Sequence, residues 1–193
     1  MGPVLVGQTH CLLFSFLCSP EAEVVQKIVQ EISNKLNKFI VDTNGLVGIN
    51  SRAKKLKSLL AIESNDVRII GIPGMGGMGK ITLARVVYGM VSNQFEACSF
   101  IQNVREESER HDSLWLQQKL LKELLMGRDL NIQDVYHGVL KIKESLRYKK
   151  ILLVLDDVDE LKQLEKLARK NDWFGQGSRG IITTRNRSLL VGP

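Results

Sequence analysis

The sequence predicts an α/β fold, a three-layer sandwich in which helices cover both faces of a parallel sheet. Strand-like apolar runs alternate with helix-like segments along the 193 residues, and this alternation is typical of parallel sheets. The run 151–155 is apolar at five consecutive positions, as in a central strand buried on both faces. A glycine-rich segment, residues 71–81, separates another strand-like run from a helix. We therefore expect a strand–loop–helix unit within the sheet.

Two helices are predicted before the glycine-rich loop. Ser19-Pro20 marks the start of the first helix, because serine can cap a helix and proline suits its first position. Apolar residues then recur at spacings of three and four through 25–40, which predicts one amphipathic helix. A shorter helix over about 51–61 places lysines opposite leucines. These segments precede the strand 67–70 and the helix 82–87, which flank the loop.

The second half of the chain alternates in the same way. Its apolar patterns predict, in order, a strand over 95–101, helices over 116–125 and 135–146, the strand 151–155, a helix over 161–167 and a strand over 180–183. Parallel strands carry ligands at their carboxyl ends. The polar residues that follow these strands are therefore the candidates for a site.

Composition and charge exclude several classes of function. The chain is 44% hydrophobic and 25% charged, as in an ordinary soluble protein. Its basic residues are scattered among acidic ones despite a net charge of +6, which favours solvated helix faces over a nucleic-acid-binding stripe. The cysteines and histidines have no metal-site spacing, so we expect neither a zinc site nor a histidine-based nucleophile. These residues are Cys11, Cys18, Cys98, His10, His111 and His137.

The apolar segment 11–18 resembles the core of a signal peptide, but it is too short to span a bilayer and no lysine or arginine precedes it. We expect a cytoplasmic protein that does not enter the membrane, with its thiols kept reduced.

The glycine-rich loop has the sequence of a phosphate-binding loop. Its glycines, Gly74, Gly76, Gly77 and Gly79, would let backbone N–H groups curl around an anion. The following helix adds the positive end of its dipole, and Lys80 would contact the outer phosphates. A glycine-rich hinge is the alternative interpretation, but the placement of Gly-Lys at the strand-to-helix junction favours phosphate binding.

One position departs from this pattern. The residue after Lys80 should be serine or threonine, whose hydroxyl ligates Mg²⁺, but the chain has Ile81. Thr82 does not replace it simply, because the next residue of a helix points about 100° away around the axis. We therefore expect impaired use of Mg-ATP.

Charged residues follow two of the predicted strands. Asp156 and Asp157 come directly after the buried strand, where the first acid would hold Mg²⁺ through water and the second would orient or deprotonate an attacking water. A solvated acidic turn, with Asp159 capping the next helix, is the alternative. Arg185 follows the last strand and could reach a terminal phosphate. An unpaired surface arginine is the alternative there.

Five motifs in this order resemble the nucleotide-binding (NB-ARC) domain of plant disease-resistance proteins, in the branch that carries an N-terminal TIR domain. The motifs are residues 47–52, the loop 71–81, residues 100–106, residues 155–159 and residues 173–185. The aspartate at position 159 resembles the pattern of the TIR branch, because the coiled-coil branch usually has tryptophan there. The resemblance implies a P-loop NTPase fold of the STAND/AAA-like type and covers the chain from about residue 20.

The resemblance also implies roles for individual residues. Val47 and Gly48 would flank the adenine, and Thr82 would lie near the α-phosphate. Asp156 would serve Mg²⁺, Asp157 would be the catalytic-type acid and Arg185 would sense the γ-phosphate. The phosphates would be held by Gly74, Gly76, Gly77, Gly79 and Lys80. Such domains act as switches, in which ADP holds an inactive state and ATP releases an active, oligomerising one.

The domain organisation expected from this resemblance has three parts. An unassigned apolar leader covers 1–19, a linker helix with the adenine-proximal loop covers 20–48, and the phosphate-binding subdomain covers 49–193. The ARC subdomains, the TIR domain and the leucine-rich repeats are not found in the sequence. We therefore expect a sheet that is incomplete at its C-terminal end, with an unpaired edge beside the strand before the loop that favours self-association.

Three functions are consistent with the sequence. The first is a regulatory switch module of a plant immune receptor, which binds ADP or ATP and takes part in the defense response and in signal transduction. The second is an active ATPase, which Ile81 disfavours. The third is a non-catalytic remnant or adaptor that contacts full-length relatives through its helices.

A further departure from the family is Gly180, which stands where a branched apolar residue is usual and costs about 0.5–1 kcal/mol in a strand interior.

Overall fold

The computed structural model describes residues 24–25, 45–127, 131–168 and 171–190. Apart from residues 24–25, these belong to the compact unit Val41–Pro193. The leader 1–19, most of the first predicted helix, and Cys11, Cys18 and His10 lie outside the described residues. Cys98 is a free cysteine in the described part of the chain, and burial raises the pKa of its thiol to about 11.

A parallel sheet of four strands forms the centre of the described chain. The strands are β1 (Arg68–Pro73), β2 (Ala97–Ile101), β3 (Ile151–Val158) and β4 (Arg179–Thr184), in the order β1-β4-β3-β2. Since β3 lies between β4 and β2, both of its edges are paired, and helices pack on the sheet so that Ile151 to Leu155 are all at most 3% exposed. The unbroken apolar run therefore forms the central buried strand that the sequence predicts.

Six helices accompany the strands in the described residues. They are α1 (Ile49–Leu60), α2 (Lys80–Val91), α3 (Val104–Arg110), α4 (Ser113–Leu124), α5 (Val135–Leu146) and α6 (Leu161–Leu167). Asp112 and Asp134 cap α4 and α5, each by accepting a hydrogen bond from a backbone N–H of the first turn. Short 3₁₀ turns follow at Ser92–Gln94, Asn171–Trp173 and Arg187–Leu190.

The helices cover the two faces of the sheet and complete the three layers. One core contains the leucines of α4, the buried apolar residues of α5 and α6, and the alternate positions Ile151, Leu153 and Leu155 of β3. On β2, Phe100 packs edge-on against Tyr88 of α2. Helix α1 packs beside α2 and buries Ala53, Leu56 and Leu60 completely or almost completely.

The structure corrects two of the predicted elements. Helix α3 was not expected, because its sequence is polar and its single buried residue, Val104, gives no periodic apolar pattern. Strand β3 extends to Val158 instead of ending at residue 155, with an irregular register between Leu155 and Val158. The two aspartates therefore lie within the irregular end of β3 and not after it.

The two edges of the described sheet differ. At β2, Glu123 of α4 approaches the strand, and its Oε2 accepts hydrogen bonds from the Phe100 N–H at 3.2 Å and from the Ser99 hydroxyl at 2.6 Å. At the other edge lies β1, as expected, and Leu190 of the last 3₁₀ turn packs against Gly71 there. A carboxylate on an edge N–H discourages pairing with another strand. Self-association through β1 stays a prediction.

Gly180 has a packing reason in this fold. It pairs with Ile69 across β1 and β4, and a Cβ atom at residue 180 would lie 2.9 Å from Ile69 Cγ1. The glycine therefore makes room for the isoleucine of the neighbouring strand. This gain in packing offsets part of the conformational cost of a glycine in a strand.

Replacing Gly180 with valine is expected to lower the free energy of unfolding by about 1–3 kcal/mol, because the added side chain overpacks against Ile69. Urea unfolding of the variant measures the loss. The double variant Gly180→Val, Ile69→Ala supplies the control, since it removes the obstructing γ carbons and should recover part of the stability. If the double variant is no more stable than Gly180→Val alone, the packing explanation is wrong.

Arg179, at the start of β4, joins that strand to the loop between α1 and β1. Its side chain is fully buried, and its guanidinium donates to the backbone oxygens of Leu60, Ala61, Ser64, Asp66 and Ser178. One carboxylate oxygen of Asp66 lies 3.2 Å away. Burial lowers the pKa of the guanidinium from its ordinary value, and the Asp66 charge opposes that shift. Arg179 thus supplies donors to the carbonyls of this loop, in addition to the backbone N–H groups that already bind the Ala61 and Ser178 oxygens.

Candidate phosphate-binding site

The glycine-rich loop lies at the carboxyl end of β1 and leads into α2. Residues 75–79 are exposed, and their N–H groups donate no hydrogen bond to another described part of the chain. Gly77 and Gly79 have φ values of 78° and 76°, in the left-handed region that favours glycine. Exposed amides beside a helix N-terminus form an anion-binding concavity.

Lys80 begins α2 and folds back over the loop. Its Nζ donates to the carbonyl oxygens of Gly74 at 2.7 Å and Met75 at 2.8 Å. The ammonium group is therefore held above the loop by neutral acceptors, without a carboxylate partner among the described residues. A phosphate oxygen would be a stronger partner than either carbonyl, because it is charged.

Ile81 and Thr82 occupy the first turn of α2 next to Lys80, and both are half-buried. Ile81 brings an apolar surface to the position at which the loop pattern requires a hydroxyl. Ala84, one turn further along the same helix, is fully buried. The helix thus begins directly after the loop, as the sequence predicts.

Asp156 is buried and fixed by two partners. Asp156 is only 5% exposed, which contradicts the alternative of a solvated acidic turn at this residue. Thr183 of β4 donates its hydroxyl to Asp156 Oδ1 at 2.6 Å, and the Asn103 N–H lies 3.5 Å from Oδ2. The next helix, α6, has Glu160 and not Asp159 at its N-cap position. Hydrogen bonds therefore orient the carboxylate toward the carboxyl edge of the sheet.

Asp157 holds an unusual backbone conformation. Its φ is 55°, a left-handed value rare for a residue with a side chain, and its N–H donates to Thr183 Oγ1 at 2.9 Å instead of to the neighbouring strand. The same threonine hydroxyl thus binds both aspartates. Such backbone strain concentrates at functional sites because the surrounding structure must maintain it.

Two arginines contact the Asp157 carboxylate. Arg185 donates Nε to Oδ1 at 3.0 Å and Nη2 to Oδ2 at 3.4 Å. Arg105, on α3, donates Nε to Oδ2 at 3.2 Å, and this hydrogen bond raises the pKa of Arg105. The alternative of an unpaired surface arginine at residue 185 is therefore wrong.

Arg185 also brings the acidic pair and the loop together. Its guanidinium lies 3.8 Å from the point that a Cβ on Gly76 would occupy. The Gly74 N–H donates to the Thr184 oxygen at 3.1 Å, so β4 fixes the start of the loop directly. The carboxyl ends of the strands consequently bring together the loop with Lys80, the acidic pair 156–157 and Arg185.

The two residues predicted to flank the adenine are exposed and lie directly before α1. Gly48 caps the start of α1 with a φ of 74°, and Val47 is 99% exposed. Val47 therefore packs against no part of the described chain. The role in adenine binding stays a prediction.

Sequence reasoning gave no role to Thr183, Arg105 or Asn103. The sequence places Thr183 near the end of the strand that precedes Arg185. Which residues of β3 it contacts depends on the register between β3 and β4. Arg105 belongs to a polar segment with no apolar period. The only sequence clue to it was its place in the motif 100–106.

Other kinds of site are not indicated in the described chain. No group of three or more histidine, cysteine or carboxylate side chains could hold a metal ion among the described residues. Within the same residues, no helix has the length and apolar character needed to cross a membrane. A small apolar cavity lies away from the loop, on the face of the sheet lined by residues including Val67, Leu153 and Phe174.

Comparison with known proteins gives a consistent result. Residues 49–191 match the family model of the NB-ARC domain. Disease resistance proteins RUN1 and RPV1 of Vitis rotundifolia are each 42% identical to the chain, over 88% and 89% of its length. Disease resistance-like protein DSC1 of Arabidopsis thaliana is 42% identical over 90% of the chain. The chain spans 13%, 12% and 14% of the lengths of these relatives.

Proposed function

The chain belongs to the NB-ARC domain family, a family of nucleotide-binding domains, and we propose that it is the adenine-nucleotide-binding part of a regulatory switch. The observation that carries the proposal is the meeting of Lys80, the exposed loop amides and Arg185 at one edge of the sheet. Two cations and a helix N-terminus around a concavity suit a diphosphate or triphosphate.

The proposed ligand set follows the geometry. Gly74, Gly76, Gly77, Gly79 and Lys80 hold the β-phosphate, and Thr82 lies near the α-phosphate. Arg185 contacts the γ-phosphate when it is present, because its guanidinium already lies beside Gly76. Val47 and Gly48 bind the adenine side. Asp157 is the acid that would orient water, and turnover is expected to be near background.

The residues present fit Mg²⁺ only in part. Asp156 is the carboxylate that would hold the ion through water, and both of its oxygens already accept hydrogen bonds. Ile81 offers no oxygen where a hydroxyl is required. The ion would neutralise charge on the β- and γ-phosphates when bound. A weakened metal site therefore favours ADP over ATP, since ADP needs only the loop, Lys80 and the helix dipole.

Replacing Ile81 with threonine is expected to make ATP binding dependent on Mg²⁺ while leaving ADP affinity within about twofold of the parent, because the new hydroxyl ligates the metal. Equilibrium titration with labelled ADP and ATP, with and without Mg²⁺, measures both affinities. Ile81→Val is the matched control, since valine has the shape of threonine without its hydroxyl. A parent chain that already binds ATP in a strongly Mg²⁺-dependent way, unchanged by Ile81→Thr, would contradict the proposal.

The same titration, together with an assay of phosphate release from ATP, separates the three candidate functions. Binding of ADP or ATP without turnover supports the switch, and sustained release of phosphate supports an ATPase. Absence of nucleotide binding supports an adaptor that contacts full-length relatives. Because the relatives are disease resistance proteins by name, we propose further that the chain acts in plant defense signalling. The proposal includes a cytoplasmic location, membership of the TIR branch and self-association on activation.

A further inference from the structure

We propose that Arg105 is a positioning residue that holds Asp157 when Arg185 moves from that carboxylate to the terminal phosphate. The inference rests on the proposed function, because it concerns how the same site distinguishes ATP from ADP. Its basis is the shared carboxylate: Arg185 and Arg105 approach Asp157 from β4 and α3, and both use Nε as the principal donor. Two arginines on one acid make one of them available without leaving the acid unpaired.

The burial of the three side chains supports this division of roles. The Asp157 side chain is 16% exposed, that of Arg105 38% and that of Arg185 56%. A largely buried carboxylate that loses its cation is costly, whereas an exposed arginine can change partner at little cost. Arg185 is the more exposed arginine and the one beside Gly76, so it is the one that moves.

Arg105 is held in place independently of the loop. It lies on α3, and its Nη1 is 3.6 Å from Glu109 Oε1, one helical turn further along. Val104, the preceding residue, is completely buried and fixes the start of that helix in the core. The buried Val104 therefore keeps Arg105 beside Asp157 while Arg185 leaves, and the exposed ion pair with Glu109 adds little to this.

Two consequences follow for the ligands. In the chain without ligand, Arg105 takes up part of the Asp157 charge, so less energy is needed to release Arg185. In the ATP complex, Arg105 keeps Asp157 paired and holds its strained backbone in place. ADP has no γ-phosphate to attract Arg185, so its affinity does not depend on this exchange. Arg105 therefore raises selectivity for the triphosphate without touching the nucleotide.

The test measures displacement of fluorescent ADP from the full chain by unlabelled ATP and by unlabelled ADP. Arg105→Ala is expected to weaken ATP binding about tenfold and to change ADP binding by less than about twofold. Glu109→Gln is the matched control, since it removes the neighbouring ion pair and leaves the Arg105–Asp157 contact. It should change neither affinity. Arg105→Lys, which keeps the charge and one donor, should recover part of the ATP affinity.

A double-mutant cycle separates positioning from direct phosphate contact. In an Asp157→Asn background there is no carboxylate for Arg105 to hold, so Arg105→Ala should no longer affect ATP affinity. If the ATP loss persists there at full size, Arg105 contacts phosphate directly and the inference is overturned. It is also overturned if Arg105→Ala leaves ATP affinity unchanged, or lowers ATP and ADP affinity equally, while the parent binds both. A parent chain that binds neither nucleotide overturns the proposed function as well.

Discussion

Replacing Lys80 with alanine is expected to weaken ADP binding by about tenfold or more, since a charge-assisted hydrogen bond is worth about 1.5–3 kcal/mol and each 1.4 kcal/mol is a decade of affinity. The structure places the ammonium on two loop carbonyls, at 2.7 and 2.8 Å. A phosphate would replace these neutral acceptors with charged ones. Isothermal titration of both chains with ADP measures the effect.

Lys141→Ala is the matched control for Lys80→Ala. It removes the same charge from an exposed pair with Glu144 on α5, where the loss should leave ADP affinity unchanged. If Lys80→Ala binds ADP as tightly as the parent, the glycine-rich loop is not a phosphate site. If both variants weaken binding equally, the effect comes from net charge and not from the loop.

Replacing Arg179 with methionine is expected to lower the free energy of unfolding by about 3–5 kcal/mol, among the largest effects of a single substitution. Methionine keeps much of the apolar bulk, but it leaves the carbonyls of Leu60 and Ser64 without the guanidinium donor and the Ala61 oxygen with only the Ser64 N–H. Typical domains are stable by about 5–15 kcal/mol, so the loss would be a large fraction of the total stability. Urea unfolding followed by far-UV circular dichroism measures the loss.

Two control variants identify the interaction responsible. Arg68→Met removes the neighbouring arginine of β1, whose side chain is 39% exposed and which contacts the same Asp66, and should cost less than about 1 kcal/mol. Asp66→Asn removes the carboxylate charge while leaving the carbonyl acceptors of Arg179. If Asp66→Asn is as destabilising as Arg179→Met, the ion pair and not the set of carbonyl contacts stabilises the loop.

Local sequence patterns were sufficient for most of the fold and part of the site. The unbroken apolar run of β3 required burial on both faces, and in the structure residues 151–155 are buried beneath the helices that cover the sheet. The glycines and Lys80 are adjacent in sequence, so their joint position followed from the strand–loop–helix order. Helix α3 could not be predicted, because it has one buried residue and therefore no amphipathic periodicity.

The sequence by itself determined where the glycine-rich loop lies, which strand is central and that Ile81 departs from the motif. Only the tertiary structure decided the partners of the charged side chains. Arg179 contacts Leu60, 119 positions earlier, and Arg105 contacts Asp157, 52 positions later. Periodicity reports which face of an element is buried, but these contacts depend on strand register and helix placement, which residues far apart in the chain set together.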